Sequence, residues 1–148
     1  MGGVVSPCII SGKPVPFARP RFSGGRGYQS PEYAAWRARA ALFLRAHRSR
    51  QGCPTIESGP VAVSITAVHA RPNQRPAWCP REAWIASAPL VAISRADLDN
   101  IAKAGMDALT DCGAFADDRQ VCRIVADSRY APPGAEGCVI VHWEAMAP

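Results

Sequence analysis

Hydrophobic and polar positions along this chain repeat with two different periods. Val61, Val63, Ile65 and Ala67 alternate with Ala62, Ser64 and Thr66, so Val61 to His69 reads as a half-buried strand. Val4 to Ile10 predicts a first strand, interrupted by Pro7. Val121 to Tyr130 and Cys138 to Glu144 predict two more, joined through the turn Ala131-Pro132-Pro133-Gly134. Gly12 to Phe22 is an extended segment whose prolines confine it to a loop or a sheet edge. The helical period marks two other stretches. Ser30 is placed to cap a helix with Pro31 in its first turn and Glu32 beside it, running to about Arg48 with Tyr33, Trp36, Ala40 and Phe43 on one stripe. Leu98, Ile101, Ala102, Gly105 and Leu109 share a face of the second, and Asp111-Cys112-Gly113 stops it. Between strand and second helix, Arg71 to Pro89 is a long loop with four prolines, Trp78 and Trp84. Its interleaved Arg and Trp suit stacking on unpaired bases, and equally suit tryptophans that tuck a loop onto the core. The order, roughly ββαβαββ, predicts the α+β class: a two-layer domain over residues 1–148, with a mixed sheet of about five strands against two main helices.

Composition narrows the setting. A length of 148 residues suits one core, and 48% hydrophobic with 20% charged residues excludes a disordered or fibrous chain. No apolar run is long enough to span a bilayer and no signal-peptide pattern opens the sequence, which leads to an expectation of a cytoplasmic, reducing location. The six cysteines fall in no Cys-x-x-Cys pair and beside no histidine at zinc-finger spacing, so free and mostly buried thiols are expected rather than zinc or disulfides. His47, His69 and His142 are scattered and read as structural.

The net charge of +5 hides an asymmetry: residues 1–50 carry +8 and residues 51–148 carry −3. A basic first third with an acidic remainder fits a protein that grips a polyanion with one region and a cation with another. The candidate polyanion contacts are Lys13, Arg19, Arg21, Arg26, Arg37, Arg45, Arg48 and Arg95. Arg37, Arg45 and Arg48 cluster within an arc of about 80° beside the apolar stripe of the first helix. A solvated helix face is the competing reading of that cluster.

The chemistry concentrates in Asp97-Leu98-Asp99-Asn100-Ile101-Ala102-Lys103 and in Asp117-Asp118. Asp97 and Asp99 stand two apart where an extended segment enters a helix, so both carboxylates can lean toward one cation. Asp118 opens the next strand, and a helix-and-return connection is expected to bring it beside the first pair. Three hard carboxylate oxygens with open positions suit Mg²⁺. Lys103 follows Asp99 by one turn on the same helix face. In a chain with fifteen arginines and two lysines, a lysine here departs from the local habit, and an ammonium is a compact charge that can approach a phosphate or a water. A surface stripe of Asp99, Lys103 and Asp107 accounts for the lysine but not for Asp97 or Asp118. An Asp-x-Asp is also used by aspartyl-phosphate phosphohydrolases, but there it follows an early strand and carries Thr or Val two residues on, where this chain has Ile101.

The combined pattern resembles the RusA-type Holliday junction resolvases of bacteria and their prophages. The resemblance rests on Asp97-Leu98-Asp99-Asn100-Ile101-Ala102-Lys103, Asp107-Ala108-Leu109 and Asp117-Asp118-Arg119-Gln120-Val121, with Gly12-Lys13-Pro14-Val15-Pro16 and Arg19-Pro20-Arg21 near the start. Arg95-Ala96 stands where many members carry Lys-Pro, and the tryptophan-bearing loop matches no motif of the family. The resemblance implies a homodimeric, Mg²⁺-dependent endonuclease that makes paired nicks in four-way DNA junctions during recombination and repair, and leaves open whether Mn²⁺ substitutes. It implies that Asp97, Asp99 and Asp118 are metal-binding and catalytic carboxylates, with Asp117 as the fallback for Asp118, and that Lys103 is the catalytic lysine. No organic cofactor or membrane is implied. The competing expectations are a junction-binding protein that does not cut, and a nuclease for flaps or forks.

Overall fold

In the computed structural model, which describes residues 5–86 and 90–148, the first element is β1 (Cys8–Ser11), followed by a hairpin of β2 (Arg21–Ser23) and β3 (Arg26–Tyr28). Helix α1 (Pro31–Gln51), strand β4 (Val61–His69), a short helix α2 (Arg81–Ile85) and the two-residue β5 (Leu90–Val91) come next. Helix α3 (Leu98–Asp111), a 3-10 turn (Asp118–Gln120), β6 (Val121–Tyr130) and β7 (Cys138–Ala145) complete the chain. The five-stranded sheet has the order β1-β7-β4-β6-β5, with β4 and β6 parallel and the other neighbours antiparallel. This is the mixed-sheet α+β arrangement expected from the element order.

Three expectations are corrected. The first strand starts only after Pro7, at Cys8; Val5 and Ser6 are not in a strand, and Val4 lies outside the described residues. The Gly12–Phe22 segment is extended as expected, yet its last residues open a hairpin whose turn, Gly24-Gly25, takes φ of +58° and +77°. Two consecutive glycines are the signature of such a turn, because both central residues need positive φ. The stripe of α1 uses Leu44, fully buried, in place of Phe43, which is 36% exposed. On a helical wheel Leu44 falls about 20° from Tyr33, whereas Phe43 falls about 80° away.

Ser30 caps α1 by accepting from the Tyr33 N–H at 3.2 Å, and α1 extends three residues beyond Arg48 before Gly52 closes it in the left-handed conformation. Tyr33, Trp36, Ala40 and Leu44 of α1 share one core with Ala102, Ala104, Ala108 and Leu109 of α3, and His47 meets Trp143 edge-on at 6.2 Å. Beneath them lie Val61, Val63, Ile65, Val139, Val141 and Trp143. Gly105 makes the close approach possible, since a Cβ there would stand 2.7 Å from Cδ1 of Ile65. The long loop folds onto the end of β6: Trp78 stacks on Tyr130 at 6.5 Å, Trp84 meets it edge-on at 5.8 Å, and Arg71 lies 4.8 Å over Trp84. These tryptophans anchor the loop, as one of the two readings held.

Candidate active site

Asp97 is the N-cap residue of α3 in extended conformation (ψ 130°), and its side chain makes no cap hydrogen bond. Asp99 occupies the first turn, and both carboxylates are exposed. Opposite them, the segment leaving β1 is pinned to the helix where the Phe17 N–H donates to the Asn100 carbonyl at 2.9 Å. This contact delivers a residue that the sequence motif does not contain. The Phe17 ring lies edge-on to Tyr33 at 5.4 Å and carries the Lys103 ammonium 4.6 Å from its centroid. Lys103 therefore has an aromatic platform, with Asp107 at 4.0 Å as its nearest carboxylate.

The acids of α3 divide sharply. Asp107 accepts from the Tyr33 hydroxyl and lies 3.7 Å from Arg37. Burial, followed by the Asp107 contact, pushes the Tyr33 phenol well above its ordinary range. Asp111 takes a two-pronged contact from Arg37 at 2.5 and 2.9 Å, which holds its carboxyl below the usual value. Both are spent on joining α3 to α1. Asp97 and Asp99 make no such contact among the described residues.

The same bonds account for three of the expected polyanion contacts. Arg37 grips Asp111, Arg45 donates to the Asp111 carbonyl at 2.8 Å, and Arg48 donates to the Cys112 carbonyl at 2.6 Å and to Thr55 Oγ1 at 2.9 Å. Three guanidinium groups thus meet the C-terminal end of α3, where free carbonyls and the helix dipole favour cations. Arg19, Arg21 and Arg26 stand exposed on and before the hairpin, at whose tip a Cβ added to Gly24 or Gly25 would meet nothing within 4 Å. Lys13 and Arg95 line a cleft of about 790 Å³ with His69, Tyr130 and Glu136, on the side of the sheet where the chain passes from β5 into α3. Burial, then Lys13, lowers the His69 pKa.

The third expected carboxylate is elsewhere. Tyr130, at the end of β6, donates to the Ile93 carbonyl just before Asp97, whereas Asp118 precedes the other end of that strand. The 14-residue α3 separates Asp97 from the Asp117-Asp118 corner, a span of about 20 Å at 1.5 Å per residue. Within one chain the helix-and-return connection does not bring Asp118 back to the first pair. Among the described residues no three His, Cys, Asp or Glu side chains gather to hold a metal. At the corner, Asp117 caps the 3-10 turn and binds Arg119 at 2.7 Å, and that pairing holds its carboxyl far below the usual range. Asp118 is exposed and has no ion pair among the described residues.

A family model described as Endodeoxyribonuclease RusA matches residues 11–137. The chain belongs to the RusA family. RusA proteins are endodeoxyribonucleases that resolve Holliday junctions, and the matched region contains every element from the Phe17 platform to β6. No curated protein matches the chain in sequence. No helix among the described residues is long and apolar enough to cross a membrane. For a RusA-type nuclease the departure at Arg95-Ala96 keeps a cation in the cleft beside Asp97, so the charge survives without the proline.

Proposed function

We propose that this chain, acting as one domain in each half of a cytoplasmic homodimer, cuts four-way DNA junctions by paired Mg²⁺-dependent nicks in recombination and repair. The observation that carries the proposal is the division among the acids. Asp107, Asp111 and Asp117 are engaged by tyrosine or arginine, while Asp97, Asp99 and Asp118 are exposed and uncommitted. Uncommitted carboxylates are hard oxygen donors, and the set fits Mg²⁺ or Mn²⁺ in chemistry. Because α3 separates Asp118 from the first pair, we assign Asp97 and Asp99 to one chain of each site and Asp118 to the other.

A divalent ion bound there supplies Lewis-acid polarisation of the scissile phosphate and an activated water. Lys103, held over Phe17, places a positive charge one helical turn from Asp99, where it offsets charge developing on the phosphate. Lys13 and Arg95 hold the flanking backbone in the cleft, and Arg19, Arg21 and Arg26 engage a junction arm. Two sites related by a two-fold axis then meet two symmetry-related strands, which accounts for paired nicks.

Two measurements test this reading. Asp97→Asn is expected to bind a synthetic four-way junction normally and to lose cleavage, and full cleavage by that variant removes the metal-site assignment. Mixing Asp97→Asn with Asp118→Asn, each inactive alone, is expected to restore single nicks, because a mixed dimer holds one complete set. Activity on flaps in place of four-way junctions, or a gel shift without product, points to the other two readings.

A further inference from the structure

The hairpin stands apart from the main sheet. β2 and β3 pair only with each other, through Arg21 with Tyr28, Phe22 with Gly27 and Ser23 with Arg26. Side chains alternate between the two faces of a hairpin, so Arg21, Ser23, Arg26 and Tyr28 share one face and Phe22 has the other, with Gly27 as its cross-strand neighbour. Phe22 is 79% exposed, the most exposed large apolar side chain among the described residues. Its ring edge covers Gly27, where a Cβ would come within 3.1 Å of Cε1, so the ring is seated against the strand while most of its surface meets solvent. The opposite face is cationic. Residues 1–31 hold Lys13, Arg19, Arg21 and Arg26 and no acid, and none of these cations pairs with a carboxylate among the described residues. The hairpin also lies near the candidate active site. The Phe17 N–H is fixed to the Asn100 carbonyl, and five residues of extended chain reach at most about 18 Å, so Phe22 lies within about five base steps of duplex from the Lys103 platform.

We propose that the hairpin is a branch-point wedge: the Phe22 ring stacks on the base pair exposed where duplex arms meet, while Arg21 and Arg26 hold a phosphate backbone on the opposite face. The proposal rests on the reading that this chain acts on branched DNA, and adds the means by which a branch is told from linear duplex. Two features specify the occupant. First, a cationic face backed by an aromatic one matches a ligand that presents phosphates on one side and flat apolar surface on the other. Linear duplex hides its base faces within the stack, whereas an opened branch point exposes the end of one arm beside the backbone of another. Inserting a ring into continuous duplex requires unstacking a base step, and at a branch that step is already open. Stacking on an aromatic ring is also indifferent to base identity, so the preference is for shape and not for sequence. Second, the arm between Phe17 and the hairpin is short, so a ring seated at the branch point places the scissile phosphate within a few nucleotides of it.

The exposure of Phe22 allows a test that leaves the core untouched. Binding is measured in the absence of divalent metal, on a synthetic four-way junction and on a linear duplex of the same sequence. Phe22→Ala is expected to weaken junction binding about tenfold and to leave duplex binding within about twofold. The salt dependence of junction binding is expected to keep its slope, because no charge is removed. Phe22→Trp is expected to restore the preference, and Phe22→Leu, which still covers Gly27, is expected not to. An equal loss on both DNAs, or no loss on either, overturns the wedge. A fall from dimer to monomer in Phe22→Ala by sedimentation velocity also overturns it, since the ring then belongs to a contact with a second copy. If Phe22→Ala disturbs the hairpin, the comparison of Phe22→Leu with Phe22→Trp decides. The outcomes separate the wedge from the reading beneath it. A strong four-way preference that survives Phe22→Ala rejects the wedge and keeps the reading. A preference for flaps that Phe22→Ala removes keeps the wedge and rejects the four-way substrate, and an unaltered protein with no preference for branched DNA rejects both.

Discussion

The hydroxyl of Tyr33 on α1 donates to Oδ2 of Asp107 on α3, while the Tyr33 ring supports Phe17, on which Lys103 rests. One buried tyrosine therefore fixes both the helix that bears the aspartates and the platform that bears the lysine.

Tyr33→Phe keeps the ring and removes the donor, leaving a partly buried carboxylate short of one bond. A loss of about 1–2 kcal/mol is expected in urea unfolding. Cleavage of a four-way junction well below the melting temperature is expected to fall less than it does for Lys103→Ala.

Phe17→Leu tests the platform itself. The Lys103 ammonium loses a contact worth about 0.5–1 kcal/mol at an exposed site, so cleavage is expected to slow by about two- to fivefold. Junction affinity is expected to stay level, since Phe17 makes no charge contribution to the grip. A drop in affinity with unaltered turnover would contradict the positioning role.

Acid sensitivity follows from Asp111. Arg37 holds its folded pKa below the ordinary 3.8, so the pair stabilises the protein fully above that value. The contribution disappears as pH falls from about 4 through the depressed folded pKa. Asp111→Asn is expected to be less stable at neutral pH and to show a shallower decline in melting temperature between pH 4 and pH 2.

The arginines are expected to separate into two groups. Arg21→Ala and Arg26→Ala remove exposed charges, and each is expected to weaken junction binding and make its salt dependence shallower by about one unit of slope. Arg48→Ala strips the donor from the Cys112 carbonyl at the end of α3 and is expected to cost about 1.5–3 kcal/mol of stability. Equal salt slopes for the unaltered protein and the Arg21 variant would remove the hairpin from the DNA grip.

Periodicity in the sequence was enough to locate β4, α3 and the start of α1, because each has a strong local signal: strict alternation, an apolar face with a stop, and a cap followed by proline. It failed where tertiary contacts decide. β5 is two residues long and exists only because Tyr130 and Ser128 offer it an edge. The identities of Asp97, Asp99, Asp118 and Lys103 as candidates were legible from their spacing. The separation of Asp118 was not, because a sequence gives the length of a connection but not the direction in which the helix points. Arg37, Arg45 and Arg48 looked like a surface cluster on a wheel of α1 alone, and only the end of α3 lying against them reveals their internal bonds.

β7 lies between β1 and β4, so the last of the described strands joins the first to the rest of the sheet. On the ribosome β1 has no sheet partner until Cys138 to Val141 emerge, and the arm that follows it, with Lys13 and Phe17, has no fixed anchor at that end. Removing β7 therefore takes the sheet partner from β1 and, with it, the support at the β1 end of the arm that carries Lys13 and Phe17.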